Sequence, residues 1–124
     1  MYEVRVRGGF NAAHQVRYAD GELESLHGHN WQVEVVMACQ TLDEAGMGID
    51  FVEAHRALEA CLEELTYTNL NDNQALGGLN PTSENLARWI YGRLASVIER
   101  DGVTIARVNV AEQDQYLASY IPTP

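Results

Sequence analysis

Residues 26–39, LHGHNWQVEVVMAC, alternate apolar and polar side chains with the period of two that marks a half-buried strand. Trp31, Val33, Val35, Met37 and Cys39 share one face, while Asn30, Gln32 and Glu34 point the other way. His27 and His29 stand one residue apart at the start of this run, so on an extended backbone they project to the same side. Their positions are about 7 Å apart along the chain, close enough for both imidazoles to converge on one ion. Gly28 keeps the backbone between them free of bulk.

Working outward, residues 2–7 set Tyr2, Val4 and Val6 against Glu3, Arg5 and Arg7, a second strand whose regularity the GGF at 8–10 is expected to break. Antiparallel pairing of the two strands, joined by the polar segment 15–26, brings His14 of FNAAH near His27 and His29. Three imidazoles with a fourth position left open are the usual catalytic zinc arrangement, so Zn2+ is the expected cofactor. Spacing alone leaves open that the His27 and His29 pair is merely solvated. His55 is read as a solvated helix residue without a partner at i±3 or i±4.

Asp50 can cap a helix running to about Leu65, with Phe51, Ala54, Leu58, Cys61, Leu62 and Leu65 at helical spacing. Residues 69–81, NLNDNQALGGLNP, are loop chemistry. Thr82 or Ser83 then starts a second helix whose stripe is Leu86, Ile90, Leu94, Val97 and Ile98. Val103–Gln113 and Tyr116–Ile121 read as two last strands. The order ββααββ implies an α+β fold: an antiparallel four-stranded sheet with two helices on one face, as a single domain over residues 1–124.

Composition narrows the function. The chain of 124 residues has 18 acidic side chains against eight arginines and no lysine, a formal net charge of −10. Nucleic-acid and anionic-membrane partners are disfavoured, because both need clustered positive charge. The missing lysine excludes a Schiff base and a phosphate-loop lysine. Cys39 and Cys61 fit no metal-cluster or disulfide spacing and read as buried thiols in a reducing compartment. The N-terminus has no apolar signal core, and a cytoplasmic location is expected.

FNAAH, LHGHNW, GMGIDF, LNDNQALGGLNPTSENLARWIY and VNVAEQ, in this order, resemble the 6-pyruvoyl-tetrahydropterin synthase and 6-carboxytetrahydropterin synthase family over nearly the whole chain. The resemblance implies zinc on His14, His27 and His29, in agreement with the spacing argument. It also implies the ββααββ tunnelling fold (T-fold), in which three subunits close their sheets into a barrel and two trimers stack into a homohexamer. Glu112 falls where the family keeps a glutamate that binds the substrate's amino-pyrimidine edge. A carboxylate suits that role, accepting two parallel hydrogen bonds from adjacent N–H groups. In strand phase Glu112 goes with Ala106, Val108 and Val110.

The departures are as informative. The family's catalytic cysteine lies four residues before the first histidine of its H-G-H motif, where this chain has Leu23, and its Asp-His pair is replaced by Thr66 and Tyr67. Glu24, three residues before His27, occupies the place where a variant subgroup uses glutamate and cleaves dihydroneopterin to 6-hydroxymethyl-dihydropterin. Such a carboxylate, near zinc and an apolar pterin site, can be tuned for general-base work, although Asp20, Glu22 and Glu24 also read as a plain acidic loop. Tyr67 is a candidate weak acid or orienting hydroxyl.

The resemblance therefore implies a zinc-dependent pterin lyase or synthase acting on the side chain of 7,8-dihydroneopterin or its triphosphate, with queuosine or folate biosynthesis as its setting. The alternative is an inactive or repurposed zinc- and pterin-binding paralogue.

Overall fold

In the computed structural model, which describes residues 1–123, the alternating run becomes β2 (His27–Cys39). It pairs antiparallel with β1 (Tyr2–His14) over thirteen uninterrupted partners, from Tyr2 opposite Cys39 to His14 opposite His27. β1 is thus longer than the expected 2–7, and GGF does not end it. The glycines instead permit close approach. A Cβ on Gly8 would stand 3.1 Å from Leu62 Cδ1, and one on Gly9 would stand 2.9 Å from the Trp31 carbonyl oxygen.

α1 (Phe51–Glu63) is capped by Asp50, whose carboxylate accepts from the Val52 N–H at 2.8 Å. It buries Ala54, Leu58, Cys61 and Leu62, with Leu65 just beyond. Phe51, expected in that stripe, is 65% exposed, and so in lesser degree is Val52, because the first turn lies outside the apolar cluster. α2 (Ser83–Ile98) takes Thr82 as its cap and buries Leu86, Ala87, Ile90, Leu94 and Ile98. Val97 is 60% exposed, so Ile98 alone carries the stripe through the last turn.

The sheet order is β3-β1-β2-β4-β5, with β3 (Thr68–Asn69), β4 (Val103–Gln113) and β5 (Tyr116–Tyr120). Both helices cover one face: α1 lies on β1, and α2 lies on β4 and β5. The expected four strands become five, because Thr68 and Asn69 add a short parallel edge beside Ala12 and Ala13. Two residues are too few for a sequence period to show. No helix among the described residues is long and apolar enough to cross a membrane.

On the face opposite the helices, a polar row crosses the sheet. Arg7 Nε donates to Glu34 at 2.8 Å, Asn109 donates to the same carboxylate at 2.9 Å, and Ser119 donates to Asn109. The Arg7 guanidinium holds the Glu34 carboxyl below its ordinary value.

β4 changes phase midway. Val36 lies opposite Arg107 and Met37 opposite Ile105, so Ala106 is the extra residue of a bulge. The core side therefore passes from Val103 and Ile105 to Val108 and Val110, and Ala106 does not share a face with them as simple alternation implied. The bulge has its own acceptor: Glu99, after α2, takes the Ile105 N–H at 2.9 Å. Replacing Glu99 by Ala is expected to lower stability by roughly 1–3 kcal/mol, because a half-buried amide loses its acceptor. Glu99→Gln, which keeps an acceptor oxygen, should restore most of it in urea denaturation. Equal losses for both would contradict this role.

Candidate functional site

The β1–β2 register decides which side chains meet. His14 faces His27 directly, and His29 lies one pair further in, opposite Ala12. All three point to the helix-covered side at one end of the sheet. Trp31 forms the floor: it is fully buried, donates from Nε1 to the Ala12 carbonyl at 3.1 Å, and meets the His14 and His29 rings edge to face at 4.8 and 5.3 Å.

Backbone carbonyls orient two of the rings. His14 Nδ1 lies 2.8 Å from the Pro81 oxygen and His27 Nδ1 lies 2.7 Å from the Ser25 oxygen. A carbonyl only accepts, so each Nδ1 carries the proton and each Nε2 presents a lone pair to the site. The two Nε2 atoms stand 3.1 Å apart. Two lone pairs at that distance repel unless a cation lies against them. His29 Nε2 is buried without a hydrogen-bond partner; it lies 3.0 Å from a Glu112 carboxylate oxygen but out of line with it. Burial pushes the His29 imidazole below its ordinary value, against the opposing pull of Glu112. A neutral ring is the form that binds metal.

His14, His27, His29 and Glu112 together place one donor atom each within 4.8 Å of one another. A tetrahedral zinc with bonds of about 2.0–2.1 Å sets its ligands roughly 3.3 Å apart, so small side-chain movements suffice. The donor set fits zinc: three converging imidazole nitrogens, two of them on rings whose tautomer a carbonyl fixes and the third, on His29, buried without a partner. Glu112, brought to this side because the β4 bulge shifts the phase, borders a recess lined by Ser83, Glu84, Tyr116 and Leu117. The Ser83 hydroxyl is buried there without a partner.

Glu24 sits just outside this group. Its Oε1 lies 3.8 Å from both His14 Nε2 and His27 Nε2, and accepts from the Val16 N–H at 2.9 Å. Tyr67 is not brought to the cluster within one chain. It is 84% exposed, has a φ of 57°, and lines an open cleft at the end of the β1–β2 ladder with Asn11, Gly28 and Asn30, whose wall also includes His29, but it makes no contact with the clustered imidazole nitrogens. Thr66 accepts the Asn11 N–H instead of entering the site. His55, far from the group on α1, does have a partner: its Nδ1 lies 3.3 Å from Glu59 at i+4, the position that the sequence reading left empty. Cys39 and Cys61 are free and buried, and burial pushes the Cys61 thiol up to about 12, so neither offers a thiolate to the site.

Two loop asparagines, a proline and Asn85 in the first turn of α2 complete the frame, and sequence reading passed over the first three as loop chemistry. Asn71 exchanges two hydrogen bonds with the Gln15 backbone, both 2.8 Å, and Asn80 does the same for Arg17 at 2.9 and 2.8 Å. Side-chain amides thus imitate a neighbouring strand for the two residues that flank Val16. Asn85 donates to the Asn80 carbonyl, and Pro81 holds the His14 ring, so residues 80–85 clamp the segment after β1 while they start α2.

Replacing Asn71 by Ala is expected to lower stability by roughly 2 kcal/mol and Asn80→Ala by about 1, since the Arg17 backbone is exposed and finds water more readily. Urea denaturation of both variants checks this. Changes below about 0.5 kcal/mol, as for ordinary surface positions, would contradict the clamp.

Comparison with known proteins agrees with this frame. The family profile described as 6-pyruvoyl tetrahydropterin synthase matches residues 3–122. A dihydroneopterin monophosphate aldolase of Pyrococcus furiosus is 33% identical over 110 residues, covering 89% of each chain. The structure of Caenorhabditis elegans 6-pyruvoyl tetrahydropterin synthase superposes with a TM-score of 0.83 at 20% identity, over 98% of this chain and 96% of that one. A Plasmodium vivax 6-pyruvoyltetrahydropterin synthase, solved as a variant in which a catalytic glutamate is replaced by alanine, superposes with a TM-score of 0.78 at 18% identity, over 96% of each chain.

Proposed function

The chain belongs to the 6-pyruvoyl tetrahydropterin synthase family, and from that premise we propose that it is a zinc-dependent lyase that cleaves the side chain of 7,8-dihydroneopterin or a phosphate ester of it. The observation that carries this reading is the place of Glu24: a carboxylate oxygen 3.8 Å from two imidazole nitrogens, in a chain with Leu23 at the family's cysteine position. The Pyrococcus relative, named an aldolase, and the Plasmodium structure, with its catalytic glutamate, support a glutamate-based cleavage.

His14, His27 and His29 would hold the zinc, which when bound supplies a Lewis acid that polarises a side-chain oxygen of the substrate. Glu112 accepts the paired N–H groups of the amino-pyrimidine edge, and the unpartnered Ser83 hydroxyl in the same recess is free to bond the ring. Glu24 takes the proton of the C2′ hydroxyl. The C1′–C2′ bond then breaks toward the N5=C6 imine of the dihydropterin, and a two-carbon aldehyde leaves. The protonated Glu24 returns its proton to C1′, which completes 6-hydroxymethyl-dihydropterin. A carboxylate with one oxygen at the imidazoles and a hydrogen bond from the chain is placed for both transfers.

The assembly implied by the family is proposed with it. β5 is a free sheet edge, and Tyr116, Leu117 and Ile121 are exposed there, as a barrel closed between copies requires. Tyr67 takes up its proposed role as an orienting hydroxyl only if a neighbouring copy brings it to a site.

Zinc is expected to raise the melting temperature in proportion to the logarithm of its concentration, adding about 2.7 kcal/mol at a hundredfold excess over Kd, and to do so far less in His29→Ala. A zinc shift unchanged in that variant would remove the triad from the proposal. Incubation of the zinc-loaded protein with 7,8-dihydroneopterin or its phosphates should yield 6-hydroxymethyl-dihydropterin by mass analysis. Glu24→Gln should lower kcat by roughly a hundredfold or more. Glu112→Gln should instead raise KM by roughly ten- to a hundredfold. Absence of turnover by a zinc-loaded, pterin-binding protein would refute the enzymatic reading.

A further inference from the structure

Residues 16–24 fold back on themselves in a small hairpin ahead of His27. Tyr18 N–H donates to the Glu22 carbonyl at 2.8 Å, Gly21 N–H to that of Tyr18 at 2.9 Å, and Glu24 N–H to that of Val16 at 3.0 Å. Arg17 and Leu23 face each other across it as an antiparallel bridge, and Gly21 makes the turn with a φ of 92°. In this register Val16 lies opposite Glu24, and Tyr18 is its diagonal neighbour on the same face, a separation that an aromatic side chain spans. The Tyr18 hydroxyl accordingly reaches the Glu24 carboxylate, donating to Oε2 at 3.3 Å.

We propose that Tyr18 is a positioning residue for this reaction: its hydroxyl holds Oε2 of Glu24 so that Oε1 stays turned toward the space between His14 and His27. The proposal rests on the assignment of Glu24 as the proton carrier.

Rotation about the last torsion of a glutamate meets only broad, shallow wells, so one hydrogen bond leaves the plane of the carboxylate free. Val16 N–H fixes Oε1, the oxygen 3.8 Å from both imidazole nitrogens, and Tyr18 fixes the other oxygen. Two anchors on two oxygens define the plane. Packing does not explain the tyrosine, which is 53% exposed and outside the apolar cluster, so a phenylalanine there preserves what little the ring buries. The charge of Glu24 raises the Tyr18 hydroxyl above its ordinary value, which keeps it a donor. Sequence reading picked out Glu24 here but not Tyr18, because the diagonal pairing of residues 18 and 24 depends on the turn at Gly21.

The test compares steady-state turnover of 7,8-dihydroneopterin by the zinc-loaded wild type, Tyr18→Phe and Glu24→Gln, with melting temperature and zinc content measured on each. Tyr18→Phe is expected to lower kcat roughly five- to tenfold, with KM within about twofold of wild type and with melting and zinc content unchanged. An unchanged kcat in Tyr18→Phe, or a rise in KM alone, overturns the proposal while the loss of turnover in Glu24→Gln leaves the role of Glu24 standing. Full turnover by Glu24→Gln overturns both assignments together. A fall in Tyr18→Phe that tracks lost stability or lost zinc assigns the tyrosine to the fold and also overturns the proposal.

Discussion

The register between β1 and β2 is the constraint on which everything else depends. Thirteen consecutive pairs without a bulge put His14 against His27, and a slip of one residue would turn every side chain of one strand to the opposite face. The slip is opposed by the core itself. Val6 against Val35 and Phe10 against Trp31 are buried on one side, while Arg7 against Glu34 pairs on the other, so each wrong register both exposes apolar area and buries charge. The convergence of the three imidazoles, proposed to hold zinc, is therefore a by-product of hydrophobic alternation, continued for two more pairs with histidines in place of aliphatic residues.

The other side chains of the site are placed by irregularities. Glu112 reaches the imidazoles because β4 carries one extra residue at Ala106, with Glu99 satisfying the freed amide. Glu24 reaches them because the connection between β1 and β2 folds into a hairpin of its own. His14 is held from behind by the segment that begins α2. The result is a small polar group on an apolar floor, in which two imidazole lone pairs face each other and two carboxylates stand at the edge. That arrangement is unfavourable by itself and becomes favourable around a divalent cation.

The regular elements were legible in the sequence because their periods are long enough to count: nine residues of alternation for β2, and four turns of apolar stripe for α2. The three histidines were legible because strand alternation converts an i, i+2 spacing directly into a shared face. What was not legible depends on contacts between distant segments. Gly8 and Gly9 read as a break because nothing local shows that α1 lies against Gly8 or that the Trp31 carbonyl of β2 crowds Gly9. The amides of Asn71 and Asn80 read as turn chemistry because their partners, Gln15 and Arg17, are more than fifty residues away. Phe51 fits the helical period but falls in a first turn outside the apolar cluster, and Val97 is turned away from the side on which its neighbour Ile98 is buried. The Ala106 bulge leaves no composition signal, so the face of Glu112 was right by simple alternation from Val108 and Val110 and wrong for Ala106.

X-ray absorption at the zinc edge of the metal-loaded protein tests the central claim most directly. Three imidazole nitrogens at about 2.0–2.1 Å, with oxygen and no sulfur completing the shell, are the expected result. A shell containing a thiolate, or fewer than three imidazoles, would contradict the account.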